Sequence, residues 1–412
     1  GDLRPGETVW GRDGTPTRVV AIHPQGARRM YRVTFDDGSS TLADAEHLWT
    51  VRGRQGRRTG GGWQTINTAE IMRRGVKRAN GRAEARQWEI PQHEAVQYDV
   101  AAPLDGYLMG CWLGDGTANA PRISGNDPEM IAELRARGFD ITDESRPDRA
   151  GSYYVRGGQL RPWLGKGAHE KRIPIEFLTS RVADRLDLLR GLMDTDGTAT
   201  KGGRATFTST SEWLARDVME LVRSLGGKAS LHPTPRQPSY THNGEKLQGR
   251  MAYTVTVTTR FNPFGLARKA ARYEPPQQDR YLSRWIESIE PVGHEDAMCI
   301  TVEAPDALYL ANDYIVTHNT ALIAWILIWF LATREFPQVV VTAGNRFCGV
   351  RDFRLLRAAM KWQAQPGTLA LCFSGFPVEQ RHPFRAYFEQ PRKPCPRREH
   401  VGLIGHLEPH RL

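Results

Sequence analysis

Cysteine is scarce and scattered in this chain: Cys111, Cys299, Cys348, Cys372 and Cys395 are odd in number and form no CxxC or Cys/His cluster. That pattern excludes a disulfide framework and a structural zinc, and it fits a reducing cytosol. Long apolar runs are missing as well. The longest, Ala321 to Ala332, is about a dozen residues where a bilayer needs roughly 20, so no membrane crossing is expected, and no signal peptide is visible. What is present is 412 residues at 40% hydrophobic and 25% charged, enough to bury two or three cores and to exclude disorder or a collagen-like fibre. Lys and Arg number 56 against 46 Asp and Glu, a net charge of +10, which favours a polyanionic partner, nucleic acid first.

From Gly1 to about Val51 short β-rich runs (TVWGRDG, PTRVVAI, YRVTFDDGSS, HLWTV) alternate with turn pairs, and Asp13-Gly14 and Asp37-Gly38 mark hairpins. Between Arg52 and Arg86 come ten basic residues against Glu70 and Glu84; the segment reads either as a solvated linker or as a contact to a DNA backbone. From Pro103 helical periods interleave with strands, and a weak repeat appears, GYLMGCWLGDGT near Tyr107 and LLRGLMDTDGT near Leu188. The helix after the second copy is expected to place Trp213, Leu214, Val218, Leu221 and Leu225 on one face and to stop at Gly226-Gly227. After roughly Ser283 the β signature returns in WIESIEPVG, AMCITVEAP and LYLANDYIVTHN, as if an all-β module were split by an insert. Beyond it, TALIAWILIWFLATREF reads as a helix and PQVVVTA as a buried strand, while 346–412 carries no assignable core.

Each repeat carries small residues four apart, Gly110 and Gly114 in one and Gly191 and Thr195 in the other, and ends in an acid-Gly pair. Small residues at that spacing let two helix backbones approach closely, which brings Asp115 and Asp196 together. One Asp-Gly after one apolar helix is ordinarily a plain helix stop; two copies with matching spacing argue for a designed pair. Two crowded carboxylates call for a divalent cation, and Mg²⁺ takes carboxylate and water ligands suited to phosphodiester hydrolysis. A second constellation lies in VTHNT, where the Asn319 amide can attack its own carbonyl and His318 can protonate the departing amine. Upstream, His47 in DAEHLWTV can protonate a scissile amide nitrogen.

The two copies resemble the LAGLIDADG, or dodecapeptide, homing endonucleases. That resemblance implies a pseudo-two-fold αββαββα domain lying on double-stranded DNA, with Asp115 and Asp196 binding Mg²⁺ and Asp194 kept inside the helix. EKRIP resembles the intervening block of that family and makes Lys171 a candidate for stabilising transition-state charge, against the reading of a surface cation; Lys228 is a weaker parallel candidate. The flanking segments resemble inteins, self-splicing elements with an all-β horseshoe called the Hint fold. DGSSTLADAEHLWTV matches the histidine block, with Asp44 where many members carry Thr, and AMCITVEAPDALYLANDYIVTHNT matches the C-terminal splicing blocks.

Trp49, Cys299 and Thr317 together resemble the Trp-Cys-Thr triplet of class 3 inteins. In that subclass the internal cysteine attacks the upstream splice bond, so the resemblance implies Cys299 as nucleophile, Thr320 as acyl acceptor, Asn319 as the cyclising residue, and Trp49 and Thr317 as pocket residues that orient the thiol. The segment from Thr320 resembles the helix and strand after a phosphate-binding loop of a phage terminase large subunit, with a replicative helicase or another ATPase as alternatives. The expectation is therefore an α+β multidomain chain. Residues 1–100 are the first Hint part with the basic linker, 101–283 the endonuclease, 284–319 the second Hint part, 320–345 a short α/β host fragment, and 346–412 unassigned. Its expected work is protein splicing, with no cofactor, joined to Mg²⁺-dependent cutting of double-stranded DNA by a monomer in the cytoplasm of a phage- or prophage-bearing cell. The resemblance further implies a β block and upstream splice junction ahead of Gly1, so that the chain as written would show at most cleavage at Asn319. Rival readings are a free-standing homing endonuclease and a fragment of a DNA-packaging ATPase.

Overall fold

A computed structural model describes residues 3–80, 83–125, 127–147, 150–200, 204–242, 245–318, 338–343 and 368–373. The chain divides into two compact units, 1–320 and 321–412. In the second, Gln338–Ala343 pairs in parallel with Thr368–Phe373, which makes a strand of PQVVVTA; the expected helix before it lies outside the described residues.

The first unit is organised around one seven-stranded antiparallel sheet. Its centre is the pairing of Pro16–Phe35 with Arg284–Val302, from Ile286 opposite Phe35 to Val302 opposite Val19. The sequence reads these as four shorter runs, PTRVVAI, YRVTFDDGSS, WIESIEPVG and AMCITVEAP, and turn-type residues, Pro24-Gln25-Gly26 and Pro291-Val292-Gly293, stand where the runs part. They are instead continuous strands of 20 and 19 residues. Each supplies the other's hydrogen bonds across Val19 to Phe35 and Ile286 to Val302, so these turn signals do not end a strand, and the irregularity is confined to register shifts such as the one between Pro291 and Gly293. The hairpin signals did hold at Gly14 (φ +78°) and Gly38 (φ +80°), where the left-handed backbone that glycine accepts closes the turns to Thr8–Trp10 and Ser40–Asp44.

Trp88–Ile90 joins the sheet between Arg284–Val302 and Leu48–Gly53, and Gln64–Asn67 forms its far edge. Val33, Phe35, Trp49, Val51, Ile71, Trp88, Ile90, Ile286 and Ile315 form one core there, drawn from both ends of the first unit. The basic stretch Arg52–Arg86 is structured, with helices Arg54–Arg58 and Thr68–Arg74 and a hairpin of Lys77–Asn80 with Ala83–Arg86. Arg52 and Arg57 pair with Glu89, Arg73 and Arg74 with Glu70, and Lys77 and Arg86 with Glu287. Six of its ten basic residues thus pair with carboxylates of the protein, and the stretch is folded, a departure from the solvated-linker reading.

The insert has its own, larger core, from Tyr107 to Tyr273. Two helices, Gly106–Asp115 and Val182–Asp196, cross at its centre. The second is followed by Gly197–Thr200, Arg204–Ser209, helix Glu212–Ser224, Lys228–Leu231 and Tyr253–Thr258, giving a four-stranded sheet. After the first, the expected opening strand shrinks to a single bridge between Gly116 and Ile123, and the sheet has three strands, Arg122–Ser124, Ile141–Asp143 and Ser152–Val155. The repeat is therefore approximate, not the full αββαββα pattern in both halves. On helix Glu212–Ser224, Leu214, Val218 and Leu221 are buried as expected, but Trp213 is 59% exposed, with the Arg172 guanidinium over its ring.

Candidate active sites

The first site is built by glycine. A Cβ on Gly110 would collide with the Leu188 carbonyl, one on Gly191 with the Tyr107 carbonyl, and one on Gly114 with Thr195. The small residues that the sequence pairs therefore meet face to face, and the helices cross at backbone contact. Both helices end at their acids, and Gly116 and Gly197 leave in extended conformation. The Asp196 Oδ2 lies 3.2 Å from the position of a Gly114 Cβ, on the first helix's side of the crossing.

Burial raises the pKa of both acids. At Asp196 burial and then the Asp115 charge push it to about 6, against the opposing pull of Lys171 and Lys269. At Asp115 burial outweighs the same two lysines. Lys171, 1% exposed and so no surface cation, donates to the carbonyls of Trp112 (2.7 Å), Leu113 (3.1 Å) and Gly116 (2.7 Å). Burial pushes it down to about 8, despite Asp196 and Asp115. The sequence missed its mate. Lys269 donates to Met193 (3.0 Å), Asp194 (2.6 Å) and Gly197 (2.7 Å), the same positions in the second repeat. Each ammonium caps the negative end of one helix dipole beside the carboxylate pair. Lys228, the candidate read from sequence, instead bonds Asp36 (2.8 Å) and the Ser283 carbonyl (2.8 Å) and holds insert to sheet. Asp194 stays off the pair, accepting from Tyr107 Oη (2.9 Å) and the Gly265 and Leu266 amides.

Two buried carboxylates that resist being charged together suit a hard divalent cation. Among the described residues no group of three or more His, Cys, Asp and Glu gathers, so carbonyl, water or phosphate oxygens would complete its shell.

The second site forms where Leu308–Leu310 pairs with Val316–His318 and the latter packs on Leu48–Gly53. His47 Nε2 lies 2.6 Å from Thr317 Oγ1, and its ring meets Trp49 edge-on at 4.8 Å. Trp49 is fully buried and donates from Nε1 to Thr68 Oγ1 (3.0 Å), and the His47 amide donates to Asp44 Oδ1 (2.7 Å). Burial pushes the His47 imidazole down to about 4, with His318 adding to the fall and Asp44 opposing it. It is neutral at neutral pH, with a single ring proton, so it is not a cation in advance of the reaction. Cys299 is half-buried. It is coupled electrostatically to Tyr309, whose phenol is raised by burial and then by Cys299 and which stands opposite Thr317. Trp49, His47, Thr317 and His318 are therefore one cluster, with Cys299 joined to it through Tyr309; Asn319 and Thr320 lie outside the described residues.

The turn ahead of this cluster has Asp313 (φ 57°) and Tyr314 (φ 58°) in the left-handed region, a conformation that costs free energy and is held by its surroundings. Arg223, on the insert helix Glu212–Ser224, holds it by donating to Asp313 Oδ1 at 2.7 Å, and the same guanidinium donates to the Asp37 carbonyl (3.1 Å).

Residues 184–260 match the family model of a LAGLIDADG-like domain. A curated relative, the replicative DNA helicase DnaB of Mycobacterium intracellulare, is 33% identical over 349 residues, covering 78% of this chain and 56% of that protein. The chain thus spans about half the length of the curated relative it matches. Among solved structures, the MchDnaB-1 intein (N145AA) is 13% identical over 78% of this chain and 87% of its own, with a TM-score of 0.22. The homing endonuclease I-DmoI in complex with DNA and Ca is 12% identical over 41% and 95%, with a TM-score of 0.28.

Proposed function

From the premise that this chain carries a LAGLIDADG-like domain, we propose that it is an intein whose Hint-type β module is interrupted by a DNA-cutting homing endonuclease. The observation that carries this reading is the pairing of Pro16–Phe35 with Arg284–Val302 around an insert whose two acids sit on the ends of glycine-packed helices. A free-standing endonuclease would have no use for the half-buried contact between His47 and Thr317, close in sequence to the two residues that end VTHNT.

In the nuclease, Asp115 and Asp196 would hold a divalent cation, which when bound activates water and stabilises the leaving oxygen. The protein's own part is to keep both carboxylates near the scissile phosphate and to place the Lys171 and Lys269 ammonium groups where negative charge develops. On the four-stranded sheet, Ala205, Phe207, Val255 and Val257 point into the core. The alternate residues Thr206, Thr208, Thr254 and Thr256 point away and suit base edges in a major groove.

In the splicing module, Cys299 would attack the upstream splice bond, Thr320 would accept the acyl group on its hydroxyl, and Asn319 would cyclise with release of the chain. His47 would pass a proton to the departing nitrogen of the upstream splice bond, with Thr317 fixing the ring, and His318 would protonate the amine released at Asn319. For the flanking host, the curated relative's name supports an ATPase of the replicative helicase kind; the terminase expected from the sequence has no support among these relatives. We place the work inside the cell that makes the host.

The test is Asp115→Asn. Cutting of the uninterrupted host gene in Mg²⁺ or Mn²⁺ is expected to be lost, while processing at Asn319 continues at the unaltered rate. Retained metal-dependent cutting would remove Asp115 from the site.

A further inference from the structure

His23 stands just ahead of three turn-type residues, Pro24-Gln25-Gly26. In the fold it lies within Pro16–Phe35, directly opposite Cys299 of the neighbouring antiparallel strand. Directly opposed residues of such a pair project from the same face with Cβ atoms about 5 Å apart, so the imidazole and the thiol are side by side. The ring is held there, because its Nε2 lies 2.9 Å from Oγ1 of Thr301, two residues along the strand from Cys299 and 4% exposed. The register is fixed as well. Met298 to Thr301 is an in-register stretch of four residues with a shift on either side, between Ala297 and Met298 and between Thr301 and Val302. Irregularities at both ends keep the Cys299–His23 match from sliding by one residue, which would turn the histidine to the other face. Among the described residues Tyr309, a phenol from Leu308–Leu310 that burial keeps neutral, also interacts with Cys299.

We propose that His23 is the base that activates the Cys299 thiol, a proposal that rests on Cys299 being the splicing nucleophile. With Nε2–H donating to Thr301, Nδ1 carries the lone pair and takes the proton from Sγ. The thiolate pair forms the S–C bond to the upstream carbonyl carbon, the C–N bond breaks, and the proton removed from sulfur balances the one gained by the departing nitrogen. No oxidant or reductant is needed. A thiolate is the reactive form, and an adjacent imidazole raises its share at neutral pH.

The experiment is iodoacetamide alkylation of the full chain, followed at the Cys299 peptide by mass spectrometry from about pH 5 to about pH 10. In the unaltered chain the rate is expected to reach half its maximum below the ordinary thiol value of about 8.5. His23→Gln is expected to slow alkylation at neutral pH by roughly 10-fold, the effect of one pKa unit. Thr301→Val, which keeps the strand's packing and frees the ring, is expected to slow it in the same direction. A midpoint at or above the ordinary value in the unaltered chain, or identical profiles in all three proteins, overturns the proposal whether or not a variant folds poorly. The underlying reading fails by a separate route: Cys299→Ala that splices normally would leave the alkylation profiles as they are and remove the reaction they serve.

Discussion

At the scale of the residue, the two sites place ionisable groups where burial works against their charge. His47 is the case with the clearest consequence for pH. Its folded pKa is about 4 against an ordinary 6.5, so the unfolded chain binds the proton more tightly. The stability that depends on the neutral ring is complete above pH 6.5 and is lost as pH falls through 4. The unaltered protein is therefore expected to lose about 3 kcal/mol across that window from this residue. His47→Gln, which keeps a partner for Thr317, is expected to flatten that part of a denaturation-against-pH curve. Parallel curves for both proteins would show that His47 titrates normally. The lysines follow the same rule in the same charge sense: Lys171 falls because it is buried, and the carbonyls of Trp112, Leu113 and Gly116 still keep it in place.

At the scale of the element, the helix crossing sets how closely the two carboxylates approach. Gly110→Ala puts a methyl group into the Leu188 carbonyl, with no flexible side chain there to move aside. Overpacking of this sort costs about 1 to 3 kcal/mol. Because both acids ride on the ends of these helices, DNA cutting should fall well beyond that loss of stability. The check is urea denaturation beside a cleavage assay; unchanged stability with full cutting would mean the helices separate at no cost. This crossing was legible in the sequence, since glycine spacing and acid position together describe a contact. Lys269 was not, because it follows the second acid by a long stretch of strands and carries no motif, and only the fold returns it to the Met193 and Gly197 carbonyls. The long strands Pro16–Phe35 and Arg284–Val302 were legible only in pieces, because local turn residues say nothing of a partner some 270 positions away that supplies the hydrogen bonds. Trp213 fitted the helical period and yet faces solvent, where Arg172 covers part of its ring.

At the scale of the whole molecule, the first unit reads as one chain folded around its own insert. The insert is tied in by charge: Arg223 reaches Asp313 and the Asp37 carbonyl, and Lys228 reaches Asp36, while Arg284 of the closing strand reaches Asp37 at 2.9 Å. Burial would raise the Asp37 carboxyl, but Arg284 and Arg223 overcome it and hold the group below its ordinary value. The anchor ends on the strained turn at Asp313 and Tyr314, a few residues before His318. The account's central claim is that the opening and closing strands build a single self-processing site. Its most direct measurement is mass spectrometry of the restored precursor, which carries the upstream splice junction and host segments on both sides, comparing the unaltered protein with Cys299→Ala and Asn319→Ala. The account predicts joined flanks and a released chain ending at Asn319, no branched intermediate with Cys299→Ala, and an intermediate that accumulates without release with Asn319→Ala. Joined flanks from both variants at the unaltered rate would contradict it.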